Sequence, residues 1–255
     1  LMDIPYTGSG VLSLALALDK ARSKQIFRFA GIPTPNFQLF SHPDEPLDPK
    51  LPYPLIVKPN REGSAKGISA SSVVWDEPAL RAQVRHVFAE YAQEILVEEY
   101  VEGAELTVGI LGHDEILPVL EIDFKGCERS GEFFYSWRMK EFQGNKELHL
   151  DPQFWCPARL SPAVTQAVQA VAWKAARALG ARDIARVDIR LSSDGLLDMT
   201  YACEPIFTRL PVTGYTPQMG ARFGLGSRTG GAWETHTAST TLRWSSTSTR
   251  PAACR

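Results

Sequence analysis

The apolar run Leu55-Ile56-Val57 ends in Lys58 and Pro59, and the small-residue stretch Arg61 to Gly67, "REGSAKG", follows almost at once. A short strand would carry the Lys58 ammonium to its end. Small residues beyond it expose backbone N–H groups, a combination that suits polyphosphate oxygens. The spacing is not that of a Walker A loop, and a surface hairpin with a solvated lysine fits the same stretch. In "VEEYVEGAELTV", Glu98, Glu99, Tyr100 and Val101 form an extended segment whose backbone could pair with a flat heteroaromatic ring. Glu105 lies seven residues after Glu98, where it could accept hydrogen bonds from ribose hydroxyls. An exposed acidic strand is the plainer alternative. In "ARVDIR", Arg186 and Asp188 stand two apart on a strand, so both side chains share one face. A carboxylate there could hold Mg²⁺ while the guanidinium stabilises oxyanion charge. A structural ion pair explains the spacing equally well.

These residues need elements to hold them. Residues 11 to 30 repeat apolar side chains at helical spacing, and Gly31 follows as a C-cap. "GIPTPNFQLF" is a proline-stiffened turn leading into a strand. "LPYPLIVKP" is a short buried strand, and "GISASSVV" a second one after the loop. "EPALRAQVRHVFAEYA" is an amphipathic helix that tolerates Pro78 in its first turn. "EILVEEYV", "AELTVGILG" and "ILPVLEIDF" are strands. "SPAVTQAVQAVAWKAARALG" is the clearest helix, with Ser161 as N-cap, Val164, Val168, Val171 and Ala175 as its apolar stripe, and Gly180 at its end. "IARVDIRLS" is a strand closed by the turn Ser193-Asp194-Gly195. Strands and helices mixed in this order predict α+β subdomains instead of a regular alternation.

Taken in order, "DIPYTGSGVLSLALALDK", "GIPTP", "LIVKPNREGSAKGIS", "ILVEEYVEGAELTVGIL", "LPVLEI" and "ALGARDIARVDIRL" resemble the ATP-grasp superfamily and, within it, the D-alanine–D-alanine ligases. The resemblance runs from about Leu1 to Gly226. It implies an α+β ATP-grasp fold with two subdomains enclosing a nucleotide cleft. Residues 1–19 would end a preceding region and form the connecting helix. Residues 20–101 would be the small subdomain, and 102–226 the large subdomain with the metal and substrate site. It implies that Lys20 and Lys58 contact nucleotide phosphates, and that Glu62, Gly63 and Ser64 open the loop that closes over them. Glu98, Glu99, Tyr100 and Val101 would be the adenine hinge and Glu105 the ribose acid. Lys140, in "FFYSWRMK", resembles the lysine of a mobile loop, and Arg186 the arginine that stabilises a tetrahedral intermediate. Asp188 resembles the first magnesium ligand. The implied reaction uses ATP and Mg²⁺ (or Mn²⁺). One amino acid's carboxylate, that of D-alanine, is phosphorylated, and a second amino acid's amine attacks the acyl phosphate, as in peptidoglycan precursor synthesis.

Two features depart from the family. An N-terminal domain precedes "DIPYTGSG" there and not here, so the chain reads as a fragment. The family also ends the next strand in Glu-x-Asn-Pro, whose glutamate and asparagine bind metal. Here the text is "LLDMTYACEPIF". Counting from Gly195 puts those positions near Tyr201 and Cys203, whereas aligning on the proline makes Glu204 the carboxylate and loses the asparagine. A local deletion or frame disturbance would explain this segment and the Ser/Thr/Arg-rich stretch 227–255, which reads as disordered. "GYTPQMGARFGLG" resembles the substrate turn, with Gly214 and Tyr215 nearest the second substrate's carboxylate. "LPVTGYTPQ" departs from the usual small-residue turn, which leaves open a ligase for other amino acids or peptides. A nucleotide-binding remnant without catalysis is the third reading.

The 255 residues suffice for a large core, and 44% apolar with 22% charged residues is ordinary for a globular chain. A net charge of -2 gives no electrostatic reason to expect nucleic acid. No stretch approaches the roughly 18 apolar residues of a membrane span, and "LMDIPYTGSG" lacks the pattern of a signal peptide. Cys127, Cys156, Cys203 and Cys254 lack metal-type pairing and read as free thiols in a reducing compartment. Cytoplasm, small-molecule substrates and no membrane partner are expected. The sequence leaves the oligomeric state open, a homodimer included.

Overall fold

The computed structural model describes residues 6–112, 114–142, 145, 147–192 and 197–198. Two antiparallel sheets dominate. The first holds β1 (Phe37–Phe40), β2 (Leu55–Pro59), β3 (Val73–Val74) and β4 (Ile95–Glu99) in the order β1-β4-β2-β3. Leu55, Val57, Ile95 and Val97 alternate onto one face, where Leu80, Val84 and Val87 of the helix α3 (Glu77–Tyr91) close a core. The pleat therefore turns Ile56, Lys58, Leu96 and Glu98 to the opposite face.

The second sheet is built on β5 (Gly103–Leu111), flanked by β9 (Ile184–Ser192) on one side and β7 (Leu120–Asp123) on the other. The short strands β6 (Glu115–Ile116), β8 (Gln153–Trp155) and β10 (Leu197–Asp198) complete it. Leu106, Val108 and Ile110 of β5 and Ala185, Val187 and Ile189 of β9 pack on Val168, Ala172 and Ala175 of the helix α5 (Pro162–Ala178). Ser161 caps α5 by accepting the Val164 N–H, and Val164 and Val171 pack at the edge of this core, as the stripe requires. Gly180 adopts φ +68° just past the C-cap, a conformation that favours glycine.

Three sequence expectations need correction. The single helix expected over 11 to 30 is two, α1 (Val11–Leu18) and α2 (Lys20–Phe29). Asp19 leaves the helical region at the break, and its carboxylate accepts the Arg22 N–H at 3.1 Å, capping α2. A side chain that competes for backbone donors interrupts a helix this way. "GISASSVV" is mostly not strand: Ser69 caps a 3₁₀ turn, Ala70–Ser72, and only Val73–Val74 pair with β2. "ILPVLEIDF" divides into β6 and β7. A small helix α4 (Trp137–Glu141), capped by Ser136, was not anticipated. Cys127 is a buried free thiol, Cys156 is half-buried, and Cys203 and Cys254 lie outside the described residues. So do the turn at 193–195 and the whole of 227–255. Among the described residues no helix is long and apolar enough to cross a membrane.

The chain passes from the first sheet to the second at Gly103, whose φ is +150°. A Cβ there would lie 1.9 Å from the Leu191 carbonyl oxygen of the paired strand. Gly103→Ala should therefore cost about 3 kcal/mol or more, or abolish soluble expression, as judged by urea denaturation. Wild-type stability in this variant would contradict the close approach of β5 and β9.

Candidate functional site

A cleft open to solvent is lined by side chains from both sheets. Ile56 and Lys58 come from β2, Ala65 from the small-residue loop, Ile68 from just after it, and Glu98 to Val101 from β4 and its exit. Glu105, Asp188 and Arg190 come from the second sheet, Phe134 and Tyr135 from the segment leading into α4, and Lys140 from α4 itself.

Glu98 organises one wall. It is fully buried, and its carboxylate lies against two ammonium groups, Lys24 at 2.6 Å and Lys58. Both cations are themselves buried. Neither Glu98 oxygen has another donor among the described residues. Burial opposes the charged carboxyl, but Lys24 and then Lys58 outweigh it and hold its pKa below the ordinary value. The solvated-lysine and exposed-acidic-strand alternatives are thereby excluded. Beyond Glu98 the chain offers backbone. Tyr100 N–H donates to the Pro54 carbonyl and the Val101 carbonyl accepts from Arg190, while the Val101 N–H has no partner among the described residues. The Glu99 carboxylate turns to Asn36, accepting from its backbone and side-chain nitrogens at 3.0 Å each.

The second wall follows from strand register. Glu105 faces Arg190 and Thr107 faces Asp188 across β5 and β9, the arrangement that brings side chains into direct contact. Arg186 grips Asp188 with two hydrogen bonds, 3.0 and 2.9 Å, and the Thr107 hydroxyl adds a third at 2.8 Å. Burial opposes charge on Asp188, but Arg186, Lys140 and Thr107 bring its pKa below the usual value. Glu105 shows the reverse: burial pushes it up, and Arg190 and the Tyr135 N–H only partly offset that. The Lys140 ammonium stands 5.4 Å from the Tyr135 ring centroid.

The structure thus brings together Lys58, Glu98, Glu99, Tyr100, Val101, Glu105, Lys140 and Asp188 in one cleft, with Arg186 attached through Asp188. Lys20 is not among the lining residues. Its ammonium donates to the carbonyls of Pro59, Asn60 and Glu62 at 3.1, 3.3 and 2.5 Å, pinning the start of the loop. Glu62 and Gly63 are half-buried, Ser64 is exposed, and the Glu62 carboxylate accepts from Gln93. Ser64 and Ala65 both have positive φ, at 55° and 58°, a strained conformation of the sort that clusters at ligand-binding loops. Glu204, Gly214 and Tyr215 lie outside the described residues. Two contributors were missed by sequence reasoning. Lys24 sits one helical turn after Lys20, and Arg190 two residues after Asp188, so the same periodicities could have found both.

Residues 26–210 match the family described as D-ala D-ala ligase C-terminus. The chain belongs to that family. It is 36% identical over 201 residues to the D-alanine--D-alanine ligase of Carboxydothermus hydrogenoformans, covering 75% of this chain and 59% of that one. The corresponding protein of Aromatoleum aromaticum is 37% identical over 204 residues, 78% of this chain and 60% of that one. The chain therefore spans under two thirds of the length of these relatives. Among solved structures, the VanG D-Ala:D-Ser ligase from Enterococcus faecalis matches with a TM-score of 0.65 at 28% identity, over 80% of this chain and 56% of that one. The D-alanine--D-alanine ligase from Bacillus anthracis complexed with ATP matches with a TM-score of 0.59 at 28% identity, over 78% and 58%. The α+β fold is that of the ATP-grasp ligases.

The Glu98 cluster has a pH signature. A carboxyl whose pKa is lowered on folding stabilises the protein above its ordinary value of 4.5 and loses that contribution as pH falls through the lower folded value. Glu98→Gln should cost about 3 kcal/mol at neutral pH, with the gap to wild type narrowing in acid. Urea melts at neutral and acidic pH measure it. A gap independent of pH would contradict the ionised cluster.

Proposed function

We propose that the cleft binds ATP and that the chain is the nucleotide-binding part of an ATP-dependent carboxylate–amine ligase of the D-alanine–D-alanine type. The observation that carries this reading is the convergence of three differently equipped positions in one cleft. They are the Val101 N–H, which has no partner among the described residues, the Glu105 carboxylate and the Lys58 ammonium. These suit in turn a heteroaromatic ring edge, sugar hydroxyls and phosphate oxygens. Lys58 is held in place by Glu98, so it needs little reorganisation to meet an anion.

On this reading Lys58 and Lys140 carry positive charge to the polyphosphate, and Lys20 fixes the loop of Glu62, Gly63 and Ser64 that covers it. Arg186 stabilises oxyanion charge at the acyl carbon when the second substrate's amine attacks. Closing the loop excludes water from the acyl phosphate. Asp188 offers hard carboxylate oxygens at the cleft, the donor type that Mg²⁺ takes alongside phosphate oxygens and water. It would hold the ion with Glu204 as the proposed second ligand. Bound there, Mg²⁺ would supply neutralisation of phosphoryl charge. Gly214 and Tyr215 are proposed to meet the second substrate's carboxylate. The reading carries with it D-alanine as substrate, a role in peptidoglycan precursor synthesis, a cytoplasmic setting and no nucleic-acid partner. It also carries the subdomain division 20–101 and 102–226.

The likeness to a D-Ala:D-Ser ligase favours one second reading, in which the attacking amino acid is not D-alanine. Phosphate release from ATP, measured across D- and L-amino acids with nucleotide binding in parallel, separates the two. Turnover with D-alanine alone supports the first, and turnover with another amine supports the second. Binding without turnover marks a chain that holds nucleotide and does no chemistry. Lys58→Ala should weaken ATP binding at least about tenfold, while Lys24→Met, which removes the other partner of Glu98, should weaken it less. Undiminished affinity in Lys58→Ala would overturn the phosphate role.

A further inference from the structure

We infer that Arg190 is a positioning residue that selects for an intact ribose, by holding Glu105 so that one carboxylate oxygen is spent and the other offered. The inference rests on the nucleotide reading of the cleft and goes beyond it.

Arg190 is buried, at 6% exposure, and every nitrogen of its guanidinium is committed. Nε donates to the Val101 carbonyl at 3.1 Å. Nη1 donates to Glu105 Oε2 at 3.2 Å and to the Phe133 carbonyl at 3.4 Å, and Nη2 to the Tyr100 hydroxyl at 3.4 Å. The group also lies 5.6 Å from the Tyr100 ring centroid. Four of its five N–H donors are thus spent on protein acceptors. Its action is on the protein.

Its contacts join three segments around the cleft: the exit of β4 at Tyr100 and Val101, Glu105 on β5, and Phe133 at the start of the segment that leads to Lys140. Glu105 Oε2 receives a second donor, the Tyr135 N–H at 3.1 Å. Both protein donors fall on the same oxygen, and Oε1 has no partner among the described residues. A carboxylate clamped by one oxygen presents the other in a fixed direction, and two adjacent hydroxyls are the ligand feature it can bind in that state. Cross-strand pairing of Glu105 with Arg190 makes the clamp a consequence of register.

Calorimetry on the full chain with ATP and 2′,3′-dideoxyATP tests this. Wild type should prefer ATP by about tenfold. Arg190→Met should reduce the preference to about twofold or less while leaving 2′,3′-dideoxyATP affinity within about twofold of wild type. In an Glu105→Gln background, Arg190→Met should lower the ratio no further, because the two residues act as one unit. Arg190→Lys keeps a cation opposite Glu105 without the fork. It should fold and show an intermediate ratio, which keeps the test decisive if the methionine variant does not fold. An unchanged ratio in Arg190→Met, or equal weakening of both nucleotides, overturns the inference. ATP binding by wild type with no ribose preference also overturns it and leaves nucleotide binding standing. Binding of neither nucleotide overturns both.

Discussion

A carboxylate buried between two ammonium groups is the constraint on which the cleft depends. Glu98 cannot stay charged in an apolar sheet without Lys24 and Lys58, and neither lysine could be buried without it. The cluster ties α2, β2 and β4 together at one point. It also keeps a positive charge at the cleft in the absence of any ligand. A solvated lysine would have to lose water and rotamer freedom to reach the same position.

The opposite wall obeys a simpler rule. Antiparallel pairing of β5 with β9 alternates Leu106, Val108, Val187 and Ile189 into the α5 core and Glu105, Thr107, Asp188 and Arg190 to the other face. Stability and chemistry are thus written into alternate residues of the same strands. The two acids are shifted in opposite directions. Asp188, with Arg186, Lys140 and Thr107 around it, is drawn toward ionisation, whereas Glu105 is pushed the other way by burial.

The sequence carried the α5 helix, the β2 and β9 strands and most of the cleft because each has a strong period and a clear cap. The break at Asp19 was hidden because apolar spacing continues through it, and only a side-chain hydrogen bond to the Arg22 N–H reveals it. Ser69 and Ser72 hid the 3₁₀ turn in the same way. Lys20 was read toward phosphate, yet its ammonium sits on three loop carbonyls. Residue type alone does not say which of two lysines a helical turn apart faces the sheet. The period of two puts Arg190 on the face of Asp188, but the four protein acceptors that bury it come from other segments of the chain. Glu204, Gly214 and Tyr215 remain expectations from resemblance.

The most direct measurement is a structure of the chain with a non-hydrolysable ATP analogue. The adenine ring is expected against the Val101 N–H, the ribose on Glu105 and the phosphates on Lys58 and Lys140. Analogue bound elsewhere, or with its phosphates away from Lys58, would contradict the role assigned to the buried cluster.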